Sequence, residues 1–547
     1  MASVQTTGAK AEAEQPQEMV ELKPEASTKR PGKGSVFCLS LIAILFSVLL
    51  AALDLTAVST ILPTLTEDLN GKDNFTWVAS AYALASAAIL PLIGGLADVF
   101  GRKPVMMGCI ILFSLGSALA GAAKNMDMMI AARTVQGLGG GGISTVCQIV
   151  IADLVPLSER GLYQGFIGLV FSLAAGIGPI VGGVFAQKVS WRWLFYLNLP
   201  IAGISLVLVA FFLRVRTPQG SFWEKVAKVD WFGNVIVIAG TTLAIMGLTW
   251  GGTRYPWVSV YVLVPLFLGL GLLAAFVVYE AHVPKVPTIP FRILNNTTTY
   301  SGYICTFIHG IASITLIYYT PIYFQACLNA SPIQSSVYGF PNAFLVSPFS
   351  FVCGVWVRAT GRYRIPNAVG WVFTVVGFGL MSLLRADSRT AQWVGYQILV
   401  SIGVGLNFGG PMYAVLAPLP VTSSAYALAF FQFTRTFAYS WGMTISSTVL
   451  QNQLQKRLPV EFISSFPQGL EIAISAIPKI RSLPQPLQSQ VQVAFADSLS
   501  VVWKTMIGIS AVGILVLPMM KDIPMGSATD ETFGLDVKSE KVEEKTA

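Results

Sequence analysis

Gly94-Gly95-Leu96-Ala97-Asp98-Val99-Phe100-Gly101-Arg102-Lys103-Pro104 decides how this chain is read. An apolar run beginning near Trp77 leads into it, another of about twenty residues leaves it, and the charges fall at the join. A run of that length crosses the hydrocarbon of a bilayer as a helix, so the stretch is a short basic turn between two membrane-spanning helices. A soluble protein has no need of such long apolar segments on both sides of a turn, and the pattern recurs along most of the chain.

Composition leads the same way. Of 547 residues, 54% are hydrophobic and 11% charged, with a mean hydropathy of +0.65, whereas a soluble domain carries about a quarter charged residues. The formal charge of +8 comes from lysines and arginines scattered between apolar segments rather than gathered in a patch, which argues against a nucleic-acid partner. Cys38, Cys109, Cys147, Cys305, Cys327 and Cys353 lie mostly inside apolar runs and lack metal-ligand spacing, so they read as small hydrophobes and no metal is expected. The loops show no phosphate-binding motif or catalytic triad, which argues against an enzyme and an ATP-driven pump.

Fourteen apolar spans are expected, making an all-alpha membrane protein. Residues 1–35 form a polar cytosolic tail, expected to be disordered. Residues 36–213 hold six spans, and 214–297 are a basic connector with two additional transmembrane helices. Residues 298–520 hold six more, including a long outer connector at 450–498 rich in Gln, Pro and Ser, with an apolar alternation around Phe462 to Ile480. Residues 521–547 are a second charged tail, also expected to be disordered. An even number of spans puts both termini on one side, and the excess of Lys and Arg in the loops on that side makes it the cytosol.

A faint repeat is visible. Gly101-Arg102 after Asp98 has a counterpart in Gly361-Arg362 after Arg358, each following what should be the second span of its bundle. Two parallel six-helix bundles with two inserted spans is an arrangement associated with alternating access. The charge at Arg358 is reversed relative to Asp98, so the two copies cannot act alike.

Four segments together resemble the signatures of the major facilitator superfamily, specifically its fourteen-span drug:proton antiporter branch. They are the opening stretch, Arg133 to Gly142, Gly178-Pro179-Ile180-Val181-Gly182-Gly183, and Leu53-Asp54-Leu55-Thr56. Trp191-Arg192-Trp193-Leu194-Phe195-Tyr196-Leu197-Asn198-Leu199-Pro200 and Tyr319-Thr320-Pro321-Ile322-Tyr323-Phe324-Gln325 are similar to its fungal members, and the resemblance spans roughly residues 40–520. It implies a secondary active transporter without a cofactor, powered by the proton gradient. Its expected cargo is an amphiphilic drug, toxin or organic-acid metabolite, exported by alternating access. Uptake of a siderophore, amino acid or other nutrient is the alternative, and a non-transporting receptor a distant third. The setting is the plasma membrane rather than a vacuolar or other internal membrane, with lipids and a small-molecule substrate as partners and a monomeric state.

Individual residues sharpen this. A carboxylate in hydrocarbon must face a partner, water or the bundle interior, so Asp54 is the most informative charge, and Arg133 is its expected partner. In the resembling family the matching acid and arginine are tied to proton coupling; a purely structural ion pair is the alternative. Arg435, inside the thirteenth span, fits either an anionic substrate or helix-end carbonyls. Where the family tends to have glycines, Ala438-Tyr439-Ser440-Trp441 introduces bulk, making Tyr439 and Trp441 candidates for substrate contact. His309 suits proton exchange or substrate binding, or a plain helix-to-helix bond. Gln136, Gln148, Asn198, Tyr319, Gln325, Asn342, Asn407 and Gln432 are polar groups on apolar spans, fitting a cavity or fastening helices. Gating is expected from Gly95, Asp98, Gly101, Arg102 and Lys103, from Arg358, Gly361 and Arg362, and from Gly178, Pro179, Gly182 and Gly183. The last group supplies a kink and close packing, and the resemblance ties it to exporters.

Overall fold

The computed structural model describes residues 34–69, 76–252, 255–284, 287–463, 477 and 479–525. Among them are fourteen long helices and no β-strand, only an isolated bridge between Gly251 and Tyr255. The long helices are α1 (Ser35–Asp68), α2 (Thr76–Phe100), α3 (Arg102–Gly121), α4 (Met126–Leu154), α5 (Leu157–Lys188) and α6 (Arg192–Phe212). They continue with α7 (Trp231–Trp250), α8 (Val260–His282), α9 (Thr297–Cys327), α10 (Phe340–Thr360), α11 (Arg364–Met381), α12 (Thr390–Leu416), α13 (Ser424–Arg457) and α14 (Leu487–Val516). Thirteen helices among the described residues are long and apolar enough to cross a membrane. The long helix outside that set is α13, which carries Gln432 and Arg435 in its first half and ends in Lys456 and Arg457.

Packing reveals the repeat. In the first bundle α1 packs on α4, α5 and α6, α2 on α4, and α3 on α4 and α6. In the second, α9 packs on α12, α13 and α14, α10 on α12, and α11 on α12 and α14, which is the same scheme helix for helix. The bundles meet through α5 on α10 and α2 on α13, one contact taken in both directions. Helices α7 and α8 pair with each other, and α7 leans on α2 and α13. Large apolar side chains on α6, α7 and α8, such as Phe211, Phe232 and Phe267, are exposed, as a lipid-facing belt requires.

The glycine run of α4 is explained by its two neighbours. A Cβ on Gly137 would strike the Tyr82 main chain, one on Gly140 the Tyr82 hydroxyl, and one on Gly141 would lie 2.8 Å from the Ser86 carbonyl, all on α2. Gly139 meets α3 at the Cys109 carbonyl, 2.6 Å from its would-be Cβ, and Gly142 meets the Cys109 side chain. No other residue lets one helix approach two others so closely.

Turns follow similar logic. Gly101 (φ +92°) separates α2 from α3, and Gly361 (φ +70°) ends α10, so both copies of the repeated loop need a left-handed residue. At the far end of the first bundle, Asp68 accepts from Arg192 Nη1 (2.7 Å) and Trp191 Nε1 (3.0 Å), tying α1 to α6. Those bonds, Arg192's foremost, hold the Asp68 carboxyl below the usual carboxylate range.

Several boundaries differ from expectation. Helix α1 runs on to Asp68, α13 runs to Arg457, and α14 starts at Leu487, so the connector expected at 450–498 shrinks to 458–486. Polar residues extend these helices because each end leaves the bilayer with its backbone still hydrogen-bonded. Of the alternation from Phe462 to Ile480, residues 464–476 lie outside the described residues, while Phe462 and Ile480 are buried against the second bundle. The tail expected to be disordered from Lys521 is ordered through Met525. Asp522 Oδ1 accepts the Tyr363 and Arg364 amides (3.0 and 2.9 Å) at the start of α11, and the Tyr363 hydroxyl donates to the Lys521 carbonyl (2.6 Å). A carboxylate at a helix N-terminus satisfies amides that would otherwise be orphaned. Residues 1–33 and 526–547 lie outside the described residues.

Gly137→Val is expected to cost more than about 3 kcal/mol through overpacking against α2. Gly108→Ala, where a Cβ meets nothing within 4 Å, should be neutral or slightly stabilising. Thermal unfolding of the purified variants in detergent checks both.

Candidate functional site

Asp54 on α1 is buried together with Ser117 on α3, Arg133 and Gln136 on α4, and Asn198 on α6. Its Oδ2 accepts from Arg133 Nη1 (2.6 Å), and its Oδ1 accepts from Gln136 Nε2 (2.9 Å) and Asn198 Nδ2 (2.8 Å). Arg133 Nη1 also donates to Gln136 Oε1 (2.6 Å), its Nε to the Val78 carbonyl (3.0 Å), and its guanidinium lies 4.5 Å from the centre of the Tyr82 ring. Ser117 Oγ sits 2.7 Å from Gln136 Nε2 and 3.1 Å from Asn198 Nδ2. Arg133 and Gln136 are three residues apart on one helical face, which lets both reach the same carboxylate. Both carboxylate oxygens thus accept short bonds from three side chains. Adding a proton to Asp54 would remove acceptors from this network and leave Arg133 without its counter-charge.

A second constellation joins the bundles at the loop side. Arg102 Nη1 donates to Asp98 Oδ1 (2.8 Å) and the Ala97 carbonyl (2.9 Å), its Nε donates to Asp153 Oδ2 (2.7 Å), and Lys103 Nζ donates to the Ala210 carbonyl (2.6 Å). Asp98 is also hydrogen-bonded to Tyr426 of α13, and a Cβ on nearby Gly94 would lie 2.7 Å from Ala429. Across the repeat, Arg358 Nη2 of α10 reaches Glu159 Oε1 of α5 (3.6 Å). Asp98 and Arg358 are each third from the end of their helices, and Tyr426 and Glu159 each third from the start of theirs. The two contacts are therefore the same contact in both directions, and the reversed charge at Arg358 is answered by an acid on the opposite bundle. Between them Gly161 and Gly354 bring α5 and α10 into backbone contact, so this end of the bundle seam is closed. Gly361 and Arg362 form the turn beyond it, with Arg362 exposed.

On α5, a Cβ on Gly178 would strike Thr56, whose Oγ1 donates to the Ala174 carbonyl (2.9 Å), so α1 and α5 are clamped two residues from Asp54. The side chain of Pro179 lies outside the described part of the molecule, and the helix runs unbroken through it. Gly182 is buried, whereas Gly183 and Gly95 face open space.

The second bundle is different. Arg435 is buried, with Nη2 donating to the Phe408 carbonyl (2.6 Å), its guanidinium over the Phe408 and Phe431 rings at 4.4 and 4.6 Å, and no hydrogen-bond partner on Nε. His309 Nε2 lies 3.0 Å from the Val404 carbonyl, and its ring meets Phe408 edge-on. Tyr439 shares Arg435's face of α13 one turn on and is hydrogen-bonded to Ser313. Trp441 lies instead with Phe430, Phe433 and Phe437, a ladder of rings on the opposite face of α13, away from Arg435. Gln148 Nε2 donates to Gln432 Oε1 (3.0 Å), bridging α4 and α13 between the bundles.

The remaining cavity candidates fasten helices. The Tyr319 hydroxyl donates to the Met443 carbonyl (3.4 Å), Gln325 Nε2 to Ser335 Oγ (2.9 Å), and Ser401 Oγ to Asn342 Oδ1 (3.4 Å). The Asn407 amide is oriented to donate to the Asn367 carbonyl (3.2 Å) and accept from the Trp371 amide (3.1 Å). Gln136 belongs to the Asp54 network rather than to a separate cavity. Sequence reasoning missed Ser117, Asp153, Glu159 and Tyr426. The two acids were findable as charges at the ends of apolar spans, whereas the serine and tyrosine carry no such signal.

Two pseudo-equivalent helical bundles meeting along a seam, with an enclosed ion pair beside it, define a membrane transporter. The chain belongs to the Major Facilitator Superfamily, which residues 44–443 match. It is 37% identical to the efflux pump FUS6 of Gibberella fujikuroi over 96% of each chain, and 37% identical to the MFS-type efflux pump LUC4 of a Fusarium species over 98% of this chain and 96% of that one. It is also 37% identical to the MFS-type transporter gkaD of Penicillium citrinum, over 96% and 90%. Among solved structures, the human organic anion transporter MFSD10 superposes with a TM-score of 0.56 at 14% identity, covering 89% of this chain and all of that one, a likeness of fold.

Asp54→Leu is expected to destabilise the protein by about 3–5 kcal/mol, because Arg133 would be left buried and unpaired; Asp54→Asn, which keeps hydrogen-bonding atoms, should cost distinctly less. Thermal unfolding of the two variants measures the difference. At the clasp, Asp98→Ala and Tyr426→Phe should lower the maximal transport rate while leaving half-saturation within about twofold. The tyrosine variant should be the milder, since it loses one bond worth about 1 kcal/mol. A change confined to half-saturation would contradict a gating role.

Proposed function

We propose that this protein is a proton-coupled exporter of an amphiphilic drug, toxin or organic-acid metabolite. It works by alternating access as a monomer with fourteen spans, α13 included, and both termini in the cytosol. The observation that carries the proposal is the enclosed Asp54–Arg133 pair with Gln136 and Asn198. A structural fastener needs no more than a hydrogen-bonded amide, whereas an ion pair with its acid fully buried is costly and is retained where charge must change. The relatives named efflux pumps favour export over nutrient uptake, and they favour the plasma membrane, where export empties to the outside.

In the proposed cycle, protonation of Asp54 frees Arg133 to turn toward Gln136 and the Val78 carbonyl. It thereby loosens α1 against α4 and, through the Thr56–Ala174 bond, α1 against α5. Since α5 packs on α10, a change at Asp54 is transmitted to the bundle seam. The loop-side clasp then opens or closes by exchanging the Asp98–Tyr426 and Arg358–Glu159 contacts for water.

The test compares metabolites released by cells with and without the protein, with the proton gradient intact or collapsed by an uncoupler. Export that requires the protein, falls with the uncoupler, and loses its dependence on the pH gradient in Asp54→Asn is expected. Normal gradient dependence in that variant at equal membrane abundance would refute proton coupling through Asp54. Inward, gradient-driven accumulation would favour the uptake reading instead.

A further inference from the structure

Among the described residues, the buried arginines other than Arg435 have an acid beside them, which for Arg160 is the nearby charge of Asp153. Arg133 meets Asp54, Arg102 meets Asp98 and Asp153, and Arg160 places Nε and Nη2 on the Val155 and Ala152 carbonyls at 3.0 and 2.6 Å. Arg435 has one carbonyl, two ring faces and an unpartnered Nε. From residue 297 to 516 the sequence contains four acids, Asp387, Glu461, Glu471 and Asp497, and none of them lies on α9 to α13. Among the described residues, the second bundle thus encloses the Arg435 charge with no carboxylate shown to meet it. Ring faces and a carbonyl supply partial negative charge, less than a guanidinium in a low dielectric demands.

The surroundings suit a ligand. Gln432, one turn before Arg435 on the same side of α13, reaches across the seam to Gln148, whose Oε1 has no partner, and Tyr439 is one turn beyond. The guanidinium lies over the Phe408 and Phe431 rings, on the helix that also carries the Gln432 end of the polar bridge between the bundles. A guanidinium whose Nε–H has no partner can donate a charge-assisted bond to a carboxylate or an enolate, and the ring faces match the apolar body attached to it.

We infer that Arg435 anchors the anionic group of the cargo, so that the exported compound is an amphiphilic organic acid in its ionised form. This rests on the export reading and narrows it, and drugs that are neutral or cationic fall outside it.

The test uses the host with the coding sequence deleted and then restored as wild type, Arg435→Lys or Arg435→Gln, with membrane abundance and thermal unfolding measured for each. Compounds whose release depends on the wild-type protein are then sorted by ionisation. An acid enters organic solvent only after the medium is brought to about pH 3, below ordinary carboxylate values, and a neutral compound or a base does not behave so. The expected result is an acidic cargo whose export falls about tenfold or more in Arg435→Gln and is partly retained in Arg435→Lys, as loss of a charge-assisted bond predicts. A neutral or basic cargo would overturn the inference and leave the export reading standing, as would an acid exported normally by a folded Arg435→Gln. If no compound depends on the protein, the export reading itself fails. Should Arg435→Gln not reach the membrane, the ionisation class of the wild-type cargo decides.

Discussion

Hydrocarbon offers nothing to a charge, and the first bundle is built around the consequences. Asp54 and Arg133 are on helices that must approach closely enough for a 2.6 Å contact, and both carboxylate oxygens of Asp54 accept hydrogen bonds. That demand reaches outward: the glycines of α4 let α2 and α3 close over the pair, Tyr82 caps the guanidinium, and Ser117 and Asn198 take the remaining bonds. Any helix standing farther away would admit water or leave a polar group orphaned, at several kcal/mol each.

The clasp at the loop side applies the same physics where water is near. Here an ion pair with half-exposed Arg358 is worth at most about 1 kcal/mol, too little to lock the molecule and suited to a contact that must be made and broken. The repeat gives it twice, once as Asp98–Tyr426 and once as Arg358–Glu159. A reversed charge at Arg358 looks like decay in one dimension; in three it has moved its acid to the other bundle.

Helices were legible because a bilayer forces long apolar runs, and the Asp54–Arg133 pair because charge inside such a run is rare. Gly101 and Gly361 were legible as turns, and both have the positive φ that makes glycine necessary. What the sequence hides is partnership across bundles. Nothing in Ala425-Tyr426-Ala427 marks Tyr426 as a partner for Asp98, since the two residues meet only after both bundles have formed. Nor does a lone polar residue on an apolar span announce whether it faces a seam or a neighbour. Gln432 faces the seam, whereas Asn342 and Asn407 bond within their own bundle. Composition places Asp522 in a solvated tail because it averages over residues, yet one carboxylate at the start of α11 is enough to dock the segment.

One scaffold used twice therefore carries opposite electrostatics. The first bundle is self-compensated, so that only a proton disturbs it, and the second is uncompensated, so that an anion would complete it. If both proposed roles hold, the two halves pull in the same direction. An anion leaving and a proton entering each move one positive charge inward, and an inside-negative potential favours every such charge by about 2.3 kcal/mol per 100 mV. One-for-one exchange would then draw on roughly twice that from the voltage alone, before the pH gradient contributes. Export of a neutral compound against the same proton would have half the electrical drive. The buried Arg435 of α13 is, on this view, the feature that lets the membrane potential act on the cargo as well as on the proton.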